Sequence, residues 1–140
     1  MNTYIAVNRS ALEHNLRQVL GYLDQRSRLL AVVKANGYGH GLVEAAKVFL
    51  AGGARWLGVS TVAEGVRLRE AGVEAPVLVF LPAWGRDELE AVVAHRLTAT
   101  VVAVSQYHDL SAVSRELGRA ATCHVYIDGG LGRLGGDDSL

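Results

Sequence analysis

Hydrophobic and polar positions along this chain switch repeatedly between two periods. After a short apolar start, read as a strand at residues 4–7, Leu12, Leu16, Val19, Leu20 and Leu23 fall on one face at helical spacing. Ser10 and Glu13 form an S-x-x-E pattern ahead of them, so an amphipathic helix with a capping box is expected. Residues 29–35 are too short and too β-branched for a buried helix, and they lack polar alternation. A strand covered on both faces fits them. Leu42, Ala45, Ala46, Phe49 and Leu50 then return to helical spacing, which Gly52 and Gly53 end.

The same exchange continues downstream. Residues 56–59 read as a strand, Thr61-x-x-Glu64 opens a helix that Gly72 closes, and residues 77–81 (VLVFL) form a strand stopped by Pro82. A helix over residues 87–94 turns Leu89, Val92 and Val93 inward. Residues 99–104 make a fourth strand, Ser105 caps a helix that Gly118 ends, and residues 122–127 make a fifth. Five βα steps recur about every 21 to 27 residues, the cadence of a parallel sheet with helical crossovers. Whether such a sheet is open or closed into a barrel, its ligand site lies beyond the carboxyl ends of the strands.

Composition narrows the partners. The 140 residues have zero formal net charge and a 50% hydrophobic fraction, values of a single globular domain. Balanced charge gives no basic stripe for nucleic acid or an anionic membrane, so a small molecule is the expected ligand. No apolar run approaches the roughly 20 residues of a membrane span, and MNTYIAVNRS lacks the pattern of a secretory signal, so a cytoplasmic setting is expected. The single Cys123 cannot pair within the chain and is expected to pack as a small hydrophobe. The five histidines show no zinc-ligand spacing, so no metal is expected.

Residues 31–41, AVVKANGYGHG, carry the chemistry. Lys34 ends the first strand. A lysine held among apolar neighbours loses hydration of its charged form, which suits an amine that captures an aldehyde. The plain alternative is a lysine snorkelling into solvent. Gly37, Gly39 and Gly41 leave space for close approach of a ligand and allow positive φ, and Tyr38 offers a hydroxyl from between two of them. Alternation along the strands places Val32 on the Lys34 side and pairs Leu78 with Phe80, so Val32 and Phe80 are candidate walls for the ligand.

AVVKANGYGHG resembles the pyridoxal 5'-phosphate attachment motif of bacterial alanine racemases, which belong to fold type III of the enzymes using that cofactor. VNRSALEHNLR is similar to the segment that precedes the motif in that family, and VYIDGGLGRLGG to its later glycine-arginine motif. The resemblance spans essentially the whole chain. It implies the amino-terminal part of a (β/α)8-type barrel over residues 1–140, with about five βα steps after an N-terminal strand and helix and with the family's carboxyl-terminal β domain absent. It also implies interconversion of L- and D-alanine for cell-wall precursors. Lys34 would hold the cofactor as a Schiff base and act as one of two bases. Tyr38 would bind the cofactor phosphate, and Arg133 would contact the phenolic oxygen of the ring and lie near the substrate carboxylate. The complete protein would be a homodimer, and other chains could complete the barrel.

Two departures accompany that resemblance. Tyr126 stands where the family often has a carbamylated lysine bonded to the arginine, and Gly129-Gly130-Leu131 replaces the usual Thr-Gly-Met. GLGRLG is also a G-x-G-x-x-G, but no further helix, strand and acidic residue follow it as a dinucleotide-binding turn requires. Two other functions remain compatible with the residues. One is a non-catalytic pyridoxal-phosphate homeostasis barrel, the other a small-molecule-binding α/β module without an enzymatic role. His40 is expected to serve as a structural hydrogen-bonder.

Overall fold

The computed structural model describes residues 2–136. Its elements are α1 (Arg9–Tyr22), β1 (Leu30–Val32), α2 (Lys34–Tyr38), α3 (Leu42–Ala51), β2 (Trp56–Val59), α4 (Val62–Glu70), β3 (Val77–Val79), α5 (Arg86–Ala94), β4 (Thr98–Val101), α6 (Val104–Glu116) and β5 (Thr122–Val125). All five strands pair in parallel in the order β1-β2-β3-β4-β5. Strand order that never reverses keeps every helical crossover on one side of the sheet, unlike a doubly wound sheet, whose order reverses at a switch point.

The sheet curls away from those helices. Trp56 on β2 and His124 on β5 lie three strands apart, yet their ring centroids are 5.6 Å apart. In a flat sheet three strand spacings separate them by roughly 14 Å. The five strands therefore form an arc of barrel wall with a concave face opposite the helices.

Strand parity sorts the residues between the two faces. Val33, Leu57, Val59, Val77, Val79, Ala99 and Val101 point outward and are buried against Leu42, Ala46, Leu68, Val92, Val93 and Leu110 of the surrounding helices. That layer is the hydrophobic core. The alternate set, which includes Val32, Lys34, Ser60, Phe80, Thr100 and His124, lines the concave side.

Several details differ from the sequence reading. Residues 2–8 form no strand, and Tyr4 and Ile5 are 85% and 86% exposed. They stand apart from the five-stranded sheet, ahead of α1. The cap of α1 is Asn8, whose side chain accepts from Ala11 N at 3.1 Å, so Ser10 and Glu13 sit inside the helix rather than forming its capping box. At α6 the N-cap is Ala103, not Ser105. No side chain caps α6; buried Gln106 instead ties the helix start to its surroundings, accepting from Val102 N at 2.9 Å while donating to Ala83 O at 3.0 Å. The Thr61–Glu64 capping box of α4 forms as expected. Cys123 is half-buried and packs against the core's edge.

Candidate active site

Pairing of β1 with β2 ends at Val33, whose N–H donates to Gly58 O at 2.8 Å. At Lys34 the backbone changes hand. Ala35, Asn36, Gly37 and Tyr38 have φ of 50°, 55°, 64° and 51°, so α2 is one turn of left-handed helix. L-residues rarely enter that region, and each non-glycine there costs on the order of 1 kcal/mol. The turn survives because its polar groups are paired. Gly37 N donates to Val33 O and Gly41 N to Asn36 O, both at 2.8 Å. Asn36 Oδ1 accepts from Leu42 N at 3.1 Å, which ties the turn to the start of α3. His40 Nδ1 bonds Gly37 O at 2.9 Å, the structural role expected of it.

The glycines serve this backbone more than they clear space for a ligand. A Cβ on Gly37 would lie 3.1 Å from the Ala45 Cβ, so that glycine permits close packing on α3 as well as φ of +64°. Gly39 and Gly41 have φ of +88° and +93° with open surroundings, and conformation alone accounts for them.

A cavity of about 570 Å³ opens over the carboxyl ends of the strands. Lys34, Tyr38, Arg133, Val32 and Phe80 all line it, so the five residues singled out from the sequence converge on one space. Lys34 is half-buried at the rim and Tyr38 is 59% exposed above it. Phe80 lies across Gly58: a Cβ there would come within 2.5 Å of the ring, so the missing side chain makes the seat for it. Thr100 closes the floor with its hydroxyl donating to Val79 O at 2.6 Å. Among the described residues two cations and no carboxylate line this cavity, an arrangement suited to an anionic ligand.

Arg133 reaches the cavity from the loop after β5. That loop closes on itself: Asp128 N donates to Gly136 O at 2.9 Å and Gly136 N to Tyr126 O at 3.0 Å. Inside it, the Asp128 carboxylate accepts from Gly130 N at 2.8 Å and Arg133 N at 2.9 Å. These main-chain donors, Gly130 first, hold the Asp128 carboxyl below its usual 3.8. Tyr126 lines the same cavity.

Ser60, Thr100 and His124 also face the cavity and were not picked out as site residues from the sequence. The available signal was strand parity: each lies an even number of positions from a concave-face residue on its own strand. A larger cleft, about 800 Å³, lies at the opposite, amino ends of the strands near Trp56, Arg69 and His95. Its main cation is already committed, since the Arg69 guanidinium donates to the carbonyls of Val73, Ala75, His95 and Arg96. No group of three metal-type ligands occurs among the described residues.

The family model described as "Alanine racemase, N-terminal domain" matches residues 7–139. The chain belongs to that family. The alanine racemase of Synechocystis is 38% identical over 132 residues, covering 94% of this chain and 36% of the relative. The solved alanine racemase of Clostridium difficile superposes with a TM-score of 0.88 at 30% identity, covering 91% of this chain and 33% of that one. The Bacillus anthracis alanine racemase solved with bound L-Ala-P gives a TM-score of 0.85 at 29% identity, over 93% of this chain and 33% of that one. The chain thus spans about a third of the length of the relatives it matches. The five-strand arc, with its helices outside, is part of the barrel of these alanine racemases.

Proposed function

We propose that this chain supplies the lysine side of an alanine racemase active site, with pyridoxal 5'-phosphate as cofactor and alanine as substrate. The observation that carries the reading is the convergence of Lys34, Tyr38 and Arg133 on one carboxylate-free cavity at the strand ends. The residues fit the cofactor: a primary amine stands at the rim, Val32 and Phe80 offer apolar walls for a flat ring, and two cations suit its anionic groups.

Lys34 would hold the cofactor through its amine. Once released from it, the same amine is placed to take or return the α proton of alanine. Tyr38 would donate its hydroxyl hydrogen to the phosphate. The Arg133 guanidinium would face the phenolic oxygen of the ring and the alanine carboxylate. Bound pyridoxal phosphate supplies the electron sink that stabilises the deprotonated α carbon. The proposal includes a residue from elsewhere in the complete protein as the opposite-face base, a homodimeric complete protein, residues 1–140 as the amino-terminal portion of its barrel, and a cytoplasmic role in D-alanine supply. All of these rest on the family relationship.

The test is direct. Pyridoxal phosphate is added, the adduct is trapped with borohydride, and the labelled peptide is mapped. Label on Lys34 supports the reading, and label on Lys47, the other lysine of the chain and an exposed one, in place of Lys34 overturns it. Racemisation of L-alanine by the protein then distinguishes an enzyme from a cofactor carrier.

A further inference from the structure

Glu64 was legible in the sequence only as the third residue of a helix cap, and its carboxylate does more than that role requires. A capping-box glutamate bonds back to the N-cap amide, here Thr61 N at 3.2 Å. Oε2 of Glu64 accepts in addition from Ser60 N at 2.8 Å. Oε1 crosses to the neighbouring strand end and accepts from Ala35 N at 2.7 Å, the shortest bond of the three and 29 residues away in sequence.

That third bond falls at a sensitive place. Main-chain pairing between β1 and β2 has just ended at Val33, and Ala35 begins the left-handed turn. The Lys34–Ala35 peptide is rigid and planar, so pinning the Ala35 amide fixes the plane from which the Lys34 side chain departs. Ser60, held by the same carboxylate, lines the cavity and accepts from Leu81 N at 3.0 Å. One side chain therefore joins the carboxyl ends of β1 and β2, with β3 attached through Ser60. Glu64 itself does not line the cavity.

The structure assigns Glu64 as a positioning residue for Lys34, acting through the Ala35 amide; the assignment rests on the proposed role of Lys34. It makes no contact with the substrate or the cofactor. Its oxygen replaces the strand partner that Ala35 lacks, and it holds a residue of positive φ where a lysine must be aimed.

The test compares Glu64→Gln with Thr61→Ala in the full chain. Glutamine keeps the side-chain shape and one oxygen for the cap, but turns an N–H₂ group toward one of the amide donors. Thr61→Ala weakens the same helix cap and leaves the Ala35 bond intact. In Glu64→Gln the Ala35 amide is expected to exchange about tenfold faster, and pyridoxal phosphate to label Lys34 with an affinity about tenfold weaker and a shifted pH midpoint. Thr61→Ala is expected to lower the melting temperature as much while leaving both Lys34 readouts within about twofold of wild type. Equal labelling in wild type and Glu64→Gln, or the same labelling defect in both variants, overturns the assignment. If the wild type forms no adduct, the proposed function fails instead. The rates of Ala35 exchange and of Lys34 acylation by acetic anhydride then decide the role of Glu64: altered in Glu64→Gln alone they sustain it, and unaltered they overturn it.

Discussion

Two glycine-rich segments bring a cation to the same cavity, and they are held in different ways. The turn carrying Lys34 leaves β1, one edge strand of the sheet, rests Gly37 on α3, and is tied to β2 through Glu64. The loop carrying Arg133 follows β5, the other edge strand, where Val125 and Ile127 are both 57% exposed, and is closed by its own backbone around Asp128. Packing on α3 and a bond to a neighbouring element add to the local hydrogen bonds of the first, whereas the bonds of the second are all its own. The group proposed to bond covalently to the cofactor therefore stands on the more tightly constrained segment, and the guanidinium on the more adaptable one.

The sharpest break in that comparison is Lys34→Ala. It should abolish borohydride-trapped cofactor, while the melting temperature stays near that of the wild type. An Arg133→Ala variant should retain the trapped adduct, and loss of the adduct there would erase the distinction between the two segments.

Backbone substitutions separate the segments by stability. Gly37→Val places a β-branched side chain at positive φ against Ala45, and denaturant unfolding should show a loss of about 3 kcal/mol. Gly132→Ala in the other loop, at φ +69° with open space around it, should cost about 1 kcal/mol. Equal losses would mean that both segments are held alike.

Tyr38→Phe removes one hydroxyl from a side chain that is 59% exposed. The expected result is a dissociation constant for pyridoxal phosphate about tenfold higher, read by titration, with unchanged stability. The smallest effect is that of acid on the second loop. The folded-state pKa of Asp128 lies below 3.8, so its contribution is complete above the unfolded value and is lost as pH falls through the lower folded one. Amide exchange at Gly130 and Arg133 should accelerate over that acid range. Gly37 and Gly41, whose N–H groups bond main-chain carbonyls, should stay protected through it.

The order of strands and helices was readable from hydrophobic period alone, because burial on one or both faces leaves a local imprint. AVVKANGYGHG likewise announced a lysine at a strand end followed by positive φ, since glycine is the residue that tolerates such a backbone. Where the local reading failed, the local signal was shared by neighbouring positions or lacked a partner. Asn8 displaced Ser10 as the cap of α1, α6 starts at Ala103 without the side-chain cap that Ser105 suggested, and residues 4–7 join no strand.

Sequence by itself thus determined the α/β alternation, the family and the five residues that meet at one cavity. Tertiary structure alone decided the curl that brings Trp56 to His124, the placement of Ser60 and Thr100 beside Lys34, and the bond from Ala35 to Glu64. The physical reason is range. Propensity and periodicity act over a few neighbouring residues, whereas strand curvature and a carboxylate reaching 29 positions along the chain exist only after the sheet has assembled.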